Sequence, residues 1–391
     1  MPNTRIEAVL QAIGDGAQLE QLASDLLQRE GYNVNPTGTR GPDNKRDALL
    51  SRNDEQGILH CSISQDLENK LRNDAQKAAS RNDSYDIFIF ATTQNPSGSK
   101  RDRLEDEISD EYGWRVQILD LQRLRNKLQG NPDNHDLIRD HLRINPNRAF
   151  EDPEEDAQEF YQSRIEELQA YNGYYGSIEP EDDLTGREER PILTVHMIPA
   201  EAFGSDHDRL GSELPDPPGF RRSGYTQQYG DFVITGDNNG LNGENPFTSY
   251  ACFHEDGWAE VVTVDILPQT DNPELTTMID KYVVDFVEDA LDWYAEVGIN
   301  PPFYTYLTVL NAAEYTIYVP KPIWGPHNRR EIGDDVFRFG EIRIDRYDTD
   351  VPTILQQPLY RLWMRTGWPG SLHYNEIKEN GEIRYEWDPR D

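Results

Sequence analysis

The chain predicts an α/β domain at the N-terminus and an α+β domain at the C-terminus. Three observations carry this. Up to about residue 130, helix-period stretches alternate with short apolar strands; an acidic stretch with few apolar runs follows; and from Pro191 on, β-rich runs dominate. A length of 391 residues suits two domains.

In chain order, AQLEQLASDLLQRE places Leu19, Leu22, Ala23, Leu26 and Leu27 at helical spacing, and Gly31 ends the helix. GYNVNPTG reads as a short strand and a turn. RDALLSR, GILHCSIS, YDIFIFATT and RVQILDL read as four further strands. The polar helix LENKLRNDAQKAAS separates the second and third of these, KRDRLEDEISDEYG the third and fourth, and LQRLRNKL closes the series. The order is αβββαβαβ. Residues 131–190 carry a short helix (NPDNHDLIRDHLRI), a longer acidic one (EDPEEDAQEFYQSRIEELQAY) and a solvated linker (IEPEDDLTGREERP). The expected division is therefore 1–130, an acidic helical linker at 131–190, and 191–391. In the last part PILTVHMIP, DFVITG, TSYACFHEDGWAEVVTVDIL, FYTYLTVL and AEYTIYVP are strands, the third with a hairpin signal at Glu255-Asp256-Gly257. ELTTMIDKYVVDFVEDALDWYAEVG and TILQQPLYRLWMRTG are helices.

Acidity is the strongest global feature: 72 acidic against 38 basic residues, a formal charge of −34. Aromatic content of 10% and clear apolar strands argue for a folded chain despite that charge. Only eight lysines occur (Lys45, Lys70, Lys77, Lys100, Lys127, Lys281, Lys321, Lys378), leaving 30 arginines. A folded, acid-coated, lysine-poor composition resembles that of haloarchaeal proteins. At about 1 M salt the Debye length is ~3 Å, so such a coat repels itself little. The charge is uneven. Residues 1–130 hold 17 basic and 21 acidic residues, net −4, and the rest hold 21 and 51, net −30. A nearly neutral first domain in so acidic a chain is what a surface facing phosphate requires.

No run of 18 apolar residues occurs and mean hydropathy is −0.81, so no membrane span is expected. MPNTRIEAVLQAIGDG lacks the basic start and apolar core of a secretory signal. Cys61 and Cys252 both sit in apolar strands, which suits a reduced, cytoplasmic interior and offers neither a disulfide nor a zinc site. TTQNPSGSK lacks the spacing of a nucleotide-binding loop, and no G-x-S-x-G elbow is present.

Chemistry concentrates in GPDNKRDALLSRNDEQGILHCSISQD, residues 41–66. LEQLASDLLQREGYNV, TGTRGPDNKRDALL and ILHCSIS together resemble the Mrr-type branch of the PD-(D/E)XK restriction-endonuclease-like superfamily, over about a third of the chain. The resemblance implies an α/β restriction-endonuclease-like N-terminal domain that hydrolyses DNA with Mg²⁺ or Mn²⁺. Position by position, Glu20 matches the helix glutamate, Asp47 the metal-binding aspartate, and His60-Cys61-Ser62 the strand motif Q-x-K. Ser62 departs from the pattern where a lysine is usual. Lys70, eight residues on, would replace that lysine from the next helix. The expected catalytic set is Glu20, Asp47 and Lys70, with Asp47, Glu20 and His60 toward the metal. Asp43, Lys45, Arg46 and Ser62 are candidate substrate contacts. An imidazole ligand would suit Mn²⁺ better than Mg²⁺, which favours oxygen.

RRSGYTQQYGD, TSYACFHEDGWAEVV and GINPPFYTYLTVLNAAEY more faintly resemble the region downstream of Schlafen/AlbA-type ATP-binding domains. That likeness implies a sensing or assembly domain and supplies no chemistry. Tyr225, Tyr229, Tyr250, Phe253, Trp258, Trp293, Phe303 and Tyr304 either stack on bases or fill a core, core being the commoner fate of alternating strand aromatics.

Two expectations of function follow. One is a metal-dependent DNA endonuclease, a restriction or defence effector, with a protein partner at the C-terminal domain and paired sites in a homodimer. DNA is preferred to RNA as its substrate. The other is a catalytically degenerate nuclease-fold protein acting as a nucleic-acid-binding or scaffold subunit.

Overall fold

Leu19, Leu22, Ala23, Leu26 and Leu27 lie on one side of a helix, and burying that side organises the first half of the molecule. The computed structural model of the chain describes residues 4–36, 48–80, 84–170, 190–203, 215–220, 225–236, 249–268, 272–319, 329–379 and 382–389. The chain is mixed α/β and divides between Asp152 and Pro153 into two compact units.

Unit 1 opens with α1 (Arg5–Ala12) and α2 (Gly16–Arg29). Asp15 caps α2 by accepting from the Ala17 backbone N–H at 2.9 Å. Strands β1 (Asn33–Pro36), β2 (Ala48–Arg52) and β3 (Glu55–Ser62) form an antiparallel meander. Asn53, at φ 53°, sits in the tight β2–β3 turn, a backbone state asparagine tolerates. Helix α3 (Leu67–Ala79) then crosses to β4 (Ile87–Thr92), which runs parallel to β3. Helix α4 (Gly98–Tyr112) leads to β5 (Arg115–Leu119), parallel to β4. The sheet order is β1-β2-β3-β4-β5. Strand β4 is buried along its whole length, which explains its continuous apolar run. Helices α5 (Leu121–Gly130) and α6 (His135–Leu142) pack with α1 and α2.

The two faces of this sheet have separate cores. Leu59, Ile89 and Ala91 pack with α1, α2, α5 and α6. Ile58, Phe88 and Phe90 pack under α3 and α4 through Leu67, Leu71, Ala75 and Leu104. Each fully buried leucine, isoleucine or phenylalanine here contributes about 1.5–3 kcal/mol.

Unit 2 begins with α7 (Pro153–Ala170). Its main sheet has seven antiparallel strands: β6 (Ile192–Pro199), β7 (Tyr225–Tyr229), β8 (Phe232–Gly236), β9 (Ser249–His254), β10 (Ala259–Thr263), β12 (Phe303–Leu310) and β14 (Val336–Ile344). Their spatial order is β14-β12-β6-β10-β9-β8-β7. Short β11 (Glu274–Leu275) and β13 (Thr316–Ile317) pair in parallel, and β15 (Tyr374–Glu379) with β16 (Glu382–Trp387) makes a separate hairpin. Helices α8 (Ile279–Val297) and α9 (Val351–Arg365) cover one sheet face. There Leu193, Val195, Met197 and Val261 meet Val283, Val287, Tyr294 and Trp363. Alternation puts Thr194, His196 and Glu260 on the other face, toward α7.

Among the described residues, no helix is long and apolar enough to cross a membrane. Cys252 is buried and Cys61 half-buried. Tyr250, Phe253, Trp258, Trp293, Phe303 and Tyr304 are all buried and so belong to the packing of unit 2.

Candidate functional site

Strand β3 splits its residues between the two cores of unit 1. Leu59 and Cys61 face α2, whereas Ile58, His60 and Ser62 face α3. His60 is only 2% exposed and stacks on Phe88, with ring centroids 5.6 Å apart. Ser62 is buried too, and its Oγ accepts from the Ser64 backbone N–H at 3.2 Å. The hydroxyl at the position of the expected strand lysine thus shapes the turn after β3.

That turn hands the chain to α3. The Asp66 carboxylate caps the helix, accepting from the Asn69 backbone N–H at 3.3 Å and its amide side chain at 2.6 Å. Lys70 then lies one turn along, and its Nζ is 2.8 Å from Asp74 Oδ2. Lys77 donates to the other oxygen, Oδ1, at 3.0 Å. Asp74 itself is buried, its side chain 3% exposed, while Lys70 and Lys77 are 39% and 41% exposed. Burial alone would raise the Asp74 carboxyl. Hydrogen bonds from Lys70 and Lys77, with the charge of His60, instead hold it below its ordinary value. The result is a layered cluster in which imidazole and carboxylate are buried and two ammonium groups cover the carboxylate.

Asp74 was not among the residues expected from the sequence. Its signal was present, because Leu67, Leu71, Asp74, Ala75 and Ala78 form one helical stripe in which Asp74 is the lone acid. Of the expected residues, His60 and Lys70 both come to the β3–α3 face. Glu20 is half-buried on α2, which packs against the opposite face of the sheet. Asp43, Lys45, Arg46 and Asp47 lie outside the described residues. Ala48, next in sequence to Asp47, pairs with Leu59, the neighbour of His60.

The donor set bears on Mg²⁺ or Mn²⁺. Both Asp74 oxygens are taken by lysines, and His60 and the helix of Glu20 lie on different faces. Among the described residues, no three His, Cys, Asp or Glu side chains are grouped to hold a metal ion. Asp74, His60 and Glu20 do not by themselves make an octahedral oxygen-ligated site; Asp47, the expected ligand, lies outside the described residues.

Further along α3, Arg72 bridges to Glu68 at 3.2 Å and also pairs with Glu107 of α4. Arg103 meets the same two carboxylates, at 3.1 and 3.0 Å, and Lys100 approaches Glu68 at 3.7 Å. The Arg103 and Arg72 hydrogen bonds hold the Glu68 carboxyl below its usual value. This closed ring of ion pairs joins α3 to α4 at the surface.

Unit 2 contains a second polar cluster, invisible in the sequence. Glu260 of β10 is fully buried and accepts four hydrogen bonds. Arg164 of α7 donates Nε and Nη2 at 2.9 Å each, His196 Nε2 at 3.0 Å, and Tyr250 OH at 3.1 Å. Burial would raise the Glu260 carboxyl, yet the Arg164 charge and the hydrogen bonds from His196 and Arg164 bring it to about 2. Tyr161, one turn before Arg164, hydrogen-bonds Thr308 Oγ1 at 2.6 Å and stacks on Tyr306 at 4.3 Å. Every oxygen of Glu260 is engaged, so the cluster anchors α7 to the sheet and has no lone pair to spare for a substrate.

No family model matches the chain, and no curated protein matches its sequence.

Proposed function

We propose that unit 1 is a restriction-endonuclease-like module that binds nucleic acid through its phosphates and has lost metal-dependent cleavage. Support for the nuclease-like ancestry is the arrangement of elements: a glutamate-bearing helix, a three-strand antiparallel meander, and a crossover helix to a parallel fourth strand. Support for nucleic acid as the partner is the near-neutral charge of residues 1–130 in a chain of net −34. The observation that carries the loss of cleavage is the Lys70–Asp74 pair at 2.8 Å. An ammonium held on Asp74 is directed to that buried carboxylate and serves it as a compact positive charge. Unit 2 would serve as the sensing or assembly part.

A second reading, a metal-dependent endonuclease acting on DNA, keeps one observation in its favour. The pairing of Ala48 with Leu59 starts β2 beside His60, directly after Asp47 in sequence. Supercoiled plasmid incubated in high KCl with Mg²⁺ or Mn²⁺, beside Asp47→Ala and Lys70→Ala, separates the two. The binding module leaves the plasmid intact in every lane. Metal-dependent nicking abolished in both variants would establish the endonuclease.

A further inference from the structure

We infer that Lys70 and Lys77 form a two-pronged cationic site for a backbone phosphate of nucleic acid, with Asp74 as the residue that positions both prongs. The inference rests on the nucleic-acid-binding reading of unit 1 and names the contact it would use.

Charge balance is the first argument. Elsewhere among the described residues of unit 1, several cations meet carboxylates one to one: Arg29 with Asp136, Arg115 with Glu55, Arg123 with Glu105, Arg125 with Glu7 and Lys127 with Glu30. At Asp74 two ammonium groups share one carboxylate, a surplus of one positive charge. Beside this pair, Arg72 of α3 and Arg103 and Lys100 of α4 share Glu68 and Glu107. On the C-terminal half of α4, Asp106, Asp110 and Glu111 are exposed. Counted whole, α3 with its cap is neutral, Asp66, Glu68 and Asp74 against Lys70, Arg72 and Lys77, so in an acidic chain the positive surplus lies at the Asp74 pair.

Burial is the second argument. A carboxylate this deep in a helix–sheet interface costs several kcal/mol in desolvation unless its partners are well placed. Neither lysine is buried along with it. Each has room on its ammonium for an outside acceptor, since a lysine has three N–H donors and Asp74 takes one from each. The long lysine side chain ordinarily loses much of its rotamer entropy when a ligand fixes it. Here Asp74 has already imposed that order, so a phosphate meets two cations whose positions are set in advance.

The geometry makes an opposed prediction for the carboxylate. Asp74→Asn adds one unit of positive charge to the surface, and simple electrostatics would strengthen phosphate binding. If Asp74 positions the lysines, the same substitution weakens it.

The test is fluorescence anisotropy of a labelled duplex oligonucleotide with the full chain, titrated over a range of KCl concentrations. The variants are Lys70→Gln, Lys77→Gln, Asp74→Asn and Lys70→Arg/Lys77→Arg, with Lys127→Gln as a control cation elsewhere in unit 1. Removing a lysine leaves a buried carboxylate exposed to its own desolvation cost. Lys70→Gln/Asp74→Asn/Lys77→Gln therefore accompanies the set, with circular dichroism to confirm folding. The expected result is that each lysine variant lowers the slope of log K against log salt by ~0.9, the loss of one phosphate contact. Asp74→Asn weakens binding in spite of its charge, the arginine pair restores it, and Lys127→Gln changes nothing. Wild-type binding left unaltered by the lysine variants, or strengthened by Asp74→Asn, overturns the fork and leaves the module reading standing. A wild type that binds no duplex at any salt overturns both.

Discussion

Asp280 of α8 should make the stability of unit 2 fall as pH rises through mild acidity. The residue is fully buried between α8 and α9, and its Oδ2 accepts from Trp363 Nε1 at 2.8 Å. Burial pushes its carboxyl up to about 6, against which the hydrogen bonds of Ser371 and Trp363 pull only partly. Both of those donors are neutral, and Oδ1 has no hydrogen-bond partner among the described residues. The unfolded chain would titrate near the reference value of 3.8. Between the two values the folded state holds the proton that the unfolded state has released, so stability is greatest below about 3.8 and declines until pH passes about 6. A gap of about 2.2 units corresponds to roughly 3 kcal/mol. Asp280→Asn keeps an acceptor for Trp363 and removes the titration. Urea unfolding in molar KCl at pH 4.5 and pH 8 would measure the difference between variant and wild type. The variant should gain roughly 2 kcal/mol of stability relative to wild type between these two pH values, since part of the effect is already lost at pH 4.5. An equal difference at both pH values would refute the reasoning, because it would mean that Asp280 titrates alike in folded and unfolded chains.

Other outcomes follow from the polar clusters. Arg164→Met should destabilise unit 2 by about 3–5 kcal/mol by leaving Glu260 charged, buried and unpaired; Arg164→Met/Glu260→Gln should recover part of that in the same urea assay. Glu260, held at about 2, contributes stability above the unfolded carboxylate range that is lost as pH falls toward 2, and acid titration of the double variant should lack that component. His254 stacks on Trp258 and is raised above its ordinary value: burial opposes the charge, but Asp256 and Asp231 outweigh it. Its contribution is complete below about 6.5 and lost as pH rises through the folded value, so the Tm difference between wild type and His254→Gln should shrink from pH 5.5 to pH 8.5.

How far the sequence reveals this molecule depends on which signal each element carries. Helix α2 was legible from its helical spacing, and strands β2 to β5 from short apolar runs bounded by polar turns and helices. Strand β14 was not. Gly340 interrupts it at φ 100°, where a Cβ would meet Arg361 Nη1 at 2.6 Å, and its pairing with β12 shifts register between Tyr306 and Thr308. Helix α1 escaped notice because eight residues give a weak periodic signal.

The clusters show the same limit. Lys70 was found as a lysine near the motif, but its partner Asp74 looked like one more acid in a polar helix. Arg164 and Glu260 are 96 residues apart and meet only because β10 lies beside β6 and α7 packs over both. Nothing local in the chain announces that meeting.

The most direct test of the account is duplex binding by the full chain in high KCl, measured in EDTA and again with Mg²⁺ or Mn²⁺, with the DNA recovered afterwards and checked for breaks. A phosphate-binding module holds the duplex equally well in both conditions and returns it uncut. Binding that requires the metal, with strand breaks that vanish in Asp47→Ala, would contradict the account and restore the endonuclease.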